Sequence, residues 1–275
     1  MQNRILEKFM NLKITNVWMF PKVFGDPDNI ELSREMIKRC IGREVEEIKL
    51  IVPESTETAG YETHGVRYDV KFKGEDKLYI VEMQNYTDSL VKRGNYEASV
   101  AMVDSFDPSD DYDNVQNIMV IYICTFDYYG IDEARYVVEQ KVIGHGEWNV
   151  DTNLSIIILN TTARSEDKEL DSMMRYFNDT RTEDSFTTKL EETVKKIKEK
   201  QITRGDYMTL EYVIKQERKL EAEEVTKKVT EEVQKTDAIE FCKKMLQEEL
   251  DVDLIVKCTG LSKEKVIDIK NQMNK

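Results

Sequence analysis

The sequence predicts an α/β domain with a mixed sheet flanked by helices, followed by an α-helical C-terminal extension. Helical and strand patterns alternate along the first part of the chain, which is typical of folds that pack helices on a sheet. Residues 115–126 and 154–159 are almost entirely apolar, as expected for strands buried on both faces. Strand patterns end near residue 187, and the sequence beyond it is rich in Glu and Lys and free of proline.

The first elements follow from periodicity and from residues that stop or start helices. A helix over residues 16–41 is predicted to break at Gly25, so that Asp28 or Asn29 starts a second helix as its N-cap. A short strand is predicted next, over residues 47–52.

Further elements are predicted downstream of this strand. Residues 65–72 and 77–84 form two strands joined by a turn-rich segment, and a helix over 86–104 follows. Beyond the two apolar strands, residues 165–178 form another helix.

Composition divides the chain into three parts. We predict a first domain over residues 1–190, a charged helical linker over 191–235 and a small helical tail over 236–275. In the tail, Ser262 follows a glycine turn and is placed to cap the last helix, which gives a helix-turn-helix shape. The tail has a slight negative charge, which favours packing or homo-oligomerisation over DNA binding.

Charge and composition argue against several classes of protein. The 275 residues carry 54 acidic and 40 basic side chains, so the net charge of −14 argues against a broad basic surface for DNA. No apolar run reaches the ~18–20 residues of a membrane span, and no signal-peptide pattern begins the chain. The four cysteines lie far apart and form no C-x-x-C pattern. We therefore expect a cytoplasmic protein without a membrane segment.

The hairpin over residues 65–72 and 77–84 contains the residues with the clearest chemical signal. Its first strand alternates between an apolar and a polar face. The predicted apolar face comprises Val66, Tyr68, Val70 and Phe72. The predicted polar face comprises Arg67, Asp69 and Lys71.

A two-residue turn over residues 75–76 would place Asp69 opposite Glu82, and Arg67 opposite Gln84. Directly opposed carboxylates lie close together and repel each other, so a compensating cation is needed. Mg²⁺ meets this need, because it prefers oxygen ligands and is commonly held by one or two carboxylates. This spacing therefore indicates a candidate metal site.

Two further residues extend this candidate site. Glu82 and Gln84 point the same way because they lie two apart in a strand, and the Gln84 amide could orient an attacking water. The backbone carbonyl of Met83 is a further candidate metal ligand.

Two alternatives remain at this stage. The acids could simply be solvated on an exposed hairpin and balanced by Arg67 and Lys71. A four-residue turn would instead place Ile80 opposite Asp69. Spacing does not choose between these possibilities.

Distinctive blocks follow one another between residues 10 and 212. They are NVWMFPKVF at 16–24, GVRYDV at 65–70, VEMQ at 81–84, R-x-x-Y at Arg93 and Tyr96, YICTFD at 122–127, LNT at 159–161 and DYMTL at 206–210. In this order they resemble the Rpn family of recombination-promoting nucleases, which are transposase-like members of the PD-(D/E)XK nuclease superfamily. The resemblance implies a restriction-endonuclease-like fold of PD-(D/E)XK type.

The resemblance also implies a metal site. In the superfamily, an acid on one strand and the acid of an E-x-K or E-x-Q pair on the next strand bind Mg²⁺, which corresponds here to Asp69 and Glu82, with Gln84 in the third position. An acid from the preceding helix often assists. Glu31 is the residue we assign to this metal-binding role, with Glu35 as the alternative.

Basic and aromatic side chains are assigned supporting roles. Arg93 and Tyr96 match the family's R-x-x-Y, and residues three apart share a helix face that could contact a phosphate or support Gln84. The alternative is an internal salt bridge and a core tyrosine. Arg67 and Lys71 are assigned as further phosphate contacts.

Two positions depart from the family pattern. Val17 stands where many members have Asp, and Gln84 stands where many nucleases of the superfamily have Lys. A neutral amide can position water, but it cannot balance charge or donate a proton as an ammonium group does. Catalysis is therefore expected to be weak or absent if these groups are essential.

The resemblance implies a Mg²⁺-dependent DNA endonuclease that hydrolyses phosphodiester bonds, with Mn²⁺ able to substitute. Asp69, Glu82 and Gln84 would be the catalytic residues, and Asp69, Glu82, Met83 and Glu31 the metal ligands. The alternative function is a catalytically weak or inactive nuclease-fold protein that binds DNA or protein. In either case we expect homo-oligomers formed through the C-terminal helices.

Overall fold

The computed structural model describes residues 2–45, 47–57, 65–75, 77–105, 111–144, 148, 150 and 152–273. The chain divides into two compact units, Met1–Tyr207 and Met208–Lys275. Among the described residues, no helix combines the length and the apolar composition needed to cross a bilayer.

A mixed sheet, six-stranded in the described part of the chain, forms the centre of the first unit. The described strands are β1 (Leu50–Pro53), β2 (Thr56–Glu57), β3 (Val66–Arg67), β4 (Val70–Lys73), β5 (Lys77–Gln84), β6 (Asn117–Cys124), β7 (Arg135–Val138) and β8 (Leu154–Asn160). The order in the main sheet is β1-β4-β5-β6-β8-β7, and β2 pairs separately with β3. Neighbours β5, β6 and β8 are parallel, whereas the pairs β1–β4, β4–β5 and β7–β8 are antiparallel.

Helices flank this sheet and continue into the second unit, which confirms the predicted α/β class with C-terminal helices. The described α-helices are α1 (Gln2–Met10), α2 (Met19–Phe24), α3 (Ile30–Ile41), α4 (Leu90–Ser105), α5 (Lys168–Asp179), α6 (Ser185–Glu199), α7 (Gln201–Gln247), α8 (Val252–Thr259) and α9 (Lys263–Met273). The predicted break near Gly25 is confirmed, and a 3-10 turn at Pro27–Asn29 separates α2 from α3.

The two faces of the sheet belong to different apolar clusters. Alternate strand residues such as Val81 and Ile121 pack with α2, α3, α5 and α6, whereas Ile80 and Val120 pack with α4. Val194 and Ile197 lie in the range predicted as a charged linker, yet they are buried in the first of these clusters. Helix α6 therefore contributes to the core of the first unit.

Of the two hairpin registers that the sequence left open, the structure has that of the two-residue turn, because Val70 pairs with Val81 and Lys71 with Ile80. The prediction of one continuous strand with one apolar face is wrong. The strand breaks between β3 and β4, so Val66 and Tyr68 pack on the α4 side while Val70 and Phe72 pack on the other. Consequently Arg67 pairs with Thr56 instead of lying opposite Gln84.

The second unit has its own small apolar cluster. Its buried residues are Cys242, Met245, Ile255, Val266 and Ile269. Gly260 ends α8 in the left-handed conformation, with φ of 71°, and the Ser262 hydroxyl accepts a hydrogen bond from the Lys265 N–H as predicted for a cap. The predicted boundary between linker and tail at residue 236 lies inside helix α7, which runs through this position without interruption.

The burial of α6 gives a stability prediction. Leu190 is fully buried, so Leu190→Ala should lower the unfolding free energy of the first unit by about 2–5 kcal/mol through lost contacts and a residual cavity. Urea unfolding followed by tryptophan fluorescence measures this, because Trp18 lies in the same core. Ile202→Ala, at an 81% exposed position, is the matched control and should change stability little. Equal effects of the two substitutions would contradict the packing.

Candidate active site

The candidate site lies on the α4 side of β5, near the carboxyl end of the strand. Glu82 and Gln84 share this face with Ile80, and they are only 2% and 3% exposed. A buried carboxylate and a buried amide are costly unless they are paired, so their partners define the chemistry of the site.

Asp69 is joined to β5 by two hydrogen bonds that involve the backbone, one to Glu82 and one to Met83. The Asp69 N–H donates to Glu82 Oε1 at 2.9 Å, and the Met83 N–H donates to Asp69 Oδ2 at 2.9 Å. Asp69 lies just before β4, opposite Glu82 in the extended register of this strand pair. The sequence-predicted acids are therefore brought together.

Arg93 connects Glu82 to a second buried acid that the sequence analysis did not identify. Its Nη2 donates to Glu82 Oε2 at 3.1 Å, and its Nε donates to Glu97 Oε1 at 2.6 Å. Residues 93 and 97 are one turn apart in α4, so the guanidinium bridges a helix carboxylate and a strand carboxylate. Arg93 thus forms an internal salt bridge, which the sequence analysis gave as the alternative to a phosphate contact.

Glu97 is held in place by two tyrosines. The Tyr122 hydroxyl, from β6, donates to Glu97 Oε2 at 2.6 Å, and the Tyr68 hydroxyl donates to the Glu97 carbonyl at 2.8 Å. Helix α4 approaches the sheet closely at Gly94, where an added Cβ would lie 3.3 Å from the Tyr122 hydroxyl. The missing side chain at Gly94 thus permits this network.

Burial and mutual repulsion control the protonation of these acids. Burial raises the pKa of Glu82 well above its ordinary value, and the charges of Asp69 and Glu97 raise it further. Burial likewise raises the pKa of Asp69 and of Glu97. Burial alone would lower the pKa of Arg93, but the carboxylates of Glu97 and Glu82 outweigh it and raise that pKa. The site therefore holds three carboxyl groups in a poorly solvated place where their ionisation is unfavourable.

Gln84 supplies an oxygen atom without a described partner. Its Oε1 is buried and accepts no hydrogen bond from any residue that the structure describes. A buried acceptor of this kind normally binds protein, water or an ion. Together with the carboxylates of Asp69 and Glu82, it forms an all-oxygen donor set of the kind that suits Mg²⁺.

The donor set contains few acids. Within the described residues, no group of three or more His, Cys, Asp or Glu side chains is arranged to hold a metal ion. Mg²⁺ is commonly bound through one or two carboxylates, with water or substrate phosphate completing its coordination. Asp69 and Glu82 fit that mode of binding.

The predicted helix ligands lie on another element and another face. Glu31 pairs with Arg34 at 3.3 Å and its side chain is 72% exposed, while Glu35 pairs with Arg39 at 2.8 Å. Both belong to α3, whose buried residues pack in the cluster on the opposite side of the sheet from Glu82. The structure thus does not bring Glu31 to the Asp69–Glu82 pair.

The predicted phosphate contacts are engaged with acids. Arg67 pairs with Glu54 at 2.8 Å, and Lys71 pairs with Glu57 in a largely buried position. Tyr96 is 38% exposed on α4. The assignment of Arg67 and Lys71 as phosphate contacts stays a prediction.

The Met83 side chain points away from the site, into the cluster that contains α3. Its backbone N–H bonds to Asp69, as described above. A role for the Met83 carbonyl as a metal ligand stays a prediction.

Glu97, Tyr122 and Tyr68 are the residues that sequence reasoning missed. Glu97 lies four residues after Arg93, which is a spacing typical of helix ion pairs and was a usable signal. The two tyrosines come from β6 and from the segment before β4, so only the folded chain shows that they meet Glu97.

Comparison of the chain with models of known protein families gives no match, and comparison with curated proteins gives none either.

The pKa of Glu82 leads to a prediction for the metal-free protein. A raised folded-state pKa stabilises the fold below the unfolded-state value, near ~4.3, and this contribution is lost as the pH rises through the folded-state pKa. Glu82→Gln should therefore raise the unfolding free energy at pH 8, and the gain should shrink towards pH ~4.5. Urea unfolding at a series of pH values measures both effects.

The matched control for this measurement is Glu75→Gln, because the Glu75 side chain is 70% exposed. Its effect on stability should be small, because water solvates this side chain well. A Glu82→Gln variant that is less stable than the wild type at every pH would contradict the prediction.

Proposed function

We propose that the protein is a Mg²⁺-dependent DNA endonuclease of the PD-(D/E)XK type. The observation that carries the proposal is the adjacent pair of carboxylates, Asp69 and Glu82, together with the buried Gln84 oxygen, which accepts no hydrogen bond from the residues that the structure describes. A two-residue turn, one of the two turns that the sequence allowed, predicted the strand register that sets this pair, and this prediction does not depend on the resemblance to the Rpn family. Adjacent acids on neighbouring strands, followed by a glutamine two residues on, are the arrangement which that resemblance implies.

The roles of the residues follow from their chemistry. Asp69 and Glu82 would hold the metal, and Mg²⁺ when bound would stabilise negative charge that develops on a phosphodiester. Gln84 Oε1 can accept a hydrogen bond from a water molecule and so orient it for attack. Because Gln84 carries no charge or acidic proton, it positions water without serving as a general acid.

The sheet topology supports the same assignment. Helix α4 connects β5 to the parallel strand β6, so Arg93 and Glu97 lie over the face that bears Glu82. This placement gives the acids a buried and rigid surrounding, which favours fixed electrostatics over flexible surface contacts.

One observation favours a second candidate function. Both Glu82 oxygens already bond to the protein, because Oε1 accepts from the Asp69 N–H and Oε2 accepts from Arg93. A site that is internally balanced in this way suits a catalytically weak or inactive nuclease fold that binds DNA or protein. Metal titration separates the two candidates, since the second one requires no metal binding at Asp69.

Plasmid nicking tests the proposed nuclease. With Mg²⁺ or Mn²⁺, the wild type should nick supercoiled DNA, and Asp69→Ala or Glu82→Ala should lower the rate by ~100-fold or more. Glu31→Ala is the control, because Glu31 lies on the other side of the sheet, and it should keep the wild-type rate. Equal nicking by the wild type and by both acid variants would refute the assignment.

A further inference from the structure

The buried network around Arg93 has an unbalanced charge. Among the described residues it contains the carboxyl groups of Asp69, Glu82 and Glu97 and a single guanidinium. When all of these groups are ionised, the network carries a net charge of −2, shown by three negative charges against one positive charge. A single divalent cation would neutralise this charge.

We propose that Glu97 is a positioning residue that, through Arg93, sets the affinity of the Asp69–Glu82 site for a divalent cation. The inference rests on the function proposed above and adds a residue and a role that neither the sequence pattern nor the resemblance supplied. Glu97 does not touch the metal in this proposal. It fixes the guanidinium and supplies the third negative charge.

The geometry allows Glu97 to act in this way. Glu97 is 1% exposed, and its oxygens accept from Arg93 Nε and the Tyr122 hydroxyl, each at 2.6 Å. Its carboxylate is therefore fixed and poorly screened by water, so its charge acts at full strength on neighbouring groups. The bridge then continues from Arg93 to Glu82 at 3.1 Å.

Glu97 also weakens the hold of the Arg93 guanidinium on Glu82. Arg93 shares its guanidinium between the two carboxylates, and its bond to Glu97 is the shorter one. Without the Glu97 charge, the guanidinium would balance Glu82 alone and would compete more strongly with a metal ion. Both effects have the same sign, so loss of the Glu97 charge weakens metal binding.

Other charges near the site do not alter this balance. Arg67 is paired with Glu54, and Lys71 is paired with Glu57, so each pair is neutral. Asp88 also approaches the guanidinium, at 4.0 Å, but its side chain is 46% exposed and is screened by water.

The test is a Mn²⁺ titration of the full chain, followed by electron paramagnetic resonance of the free ion. Glu97→Gln keeps the shape of the side chain and removes its charge, and it should weaken Mn²⁺ binding about tenfold or more. Arg93→Met should bind Mn²⁺ at least as tightly as the wild type. The double variant has the same net charge as the wild type, so its affinity should return to within about threefold of the wild-type value.

Glu191→Gln is the matched control. Glu191 accepts a hydrogen bond from the Tyr176 hydroxyl at 2.8 Å and pairs with Lys195 four residues on, so it repeats the Tyr–Glu–cation arrangement away from the site. Its substitution should leave Mn²⁺ affinity unchanged. A purely structural role of Glu97 would make the double variant bind more weakly than Glu97→Gln, whereas the charge balance predicts recovery.

The outcomes separate this inference from the proposed function. If the wild type binds Mn²⁺ and Glu97→Gln binds it equally well, the role of Glu97 is refuted and the nuclease proposal stands. If the double variant stays as weak as Glu97→Gln, the charge balance is refuted in the same way. If the wild type binds no Mn²⁺, the metal-dependent function is refuted, and the role of Glu97 with it.

Discussion

The contact between the Arg93 guanidinium and the buried carboxylates of Glu82 and Glu97 is the interaction on which the candidate site depends. It joins α4 to β5 directly, and it reaches β6 through the Tyr122 hydroxyl. Removing the guanidinium from such a buried group typically costs about 3–5 kcal/mol, because the carboxylates are left without compensation. Helix α4 can approach β6 closely enough for the hydrogen bond between Glu97 and the Tyr122 hydroxyl because Gly94 has no side chain. Stability and candidate function are therefore coupled in one small region.

The sheet explains why these polar groups are concentrated there. Strand β5 is covered on both faces, so its alternate residues enter two different apolar clusters. Only at Glu82 and Gln84, near the carboxyl end of the strand, does the α4 side of β5 carry buried polar side chains. Desolvation at this end raises the pKa of Glu82, and the neighbouring acid Asp69 raises it further. A group whose ionisation is so unfavourable is stabilised by any cation that reaches it, whether a guanidinium or a metal ion.

The parts of the fold that depend on local pattern were predictable from the sequence. Strand β5 was predicted with its observed ends, and the structure has the register of the two-residue turn, which the sequence alone did not distinguish from that of a four-residue turn. The break before β4 was not predictable, because Tyr68 continues the alternating pattern while it turns to the other side of the sheet. Its hydroxyl bonds to the backbone of Glu97, a contact between residues distant in sequence. Likewise the position of Glu31 depends on how α3 packs, and a helix pattern alone does not state which face of the sheet the helix covers.

The ion pairs of the site bear on how a protein with a net charge of −14 could bind DNA. A nuclease usually grips the DNA backbone with free lysines and arginines, and each such contact adds to the salt dependence of binding. Here Arg67, Lys71 and Arg93 all pair with carboxylates, so neighbouring acids partly neutralise their charges. If the protein acts on DNA, a cation bound at Asp69 and Glu82 would add attraction for phosphate that these three side chains supply only weakly. The same acids that repel DNA in the metal-free protein would in that case create its binding site, which makes affinity for metal and affinity for DNA two aspects of one charge balance.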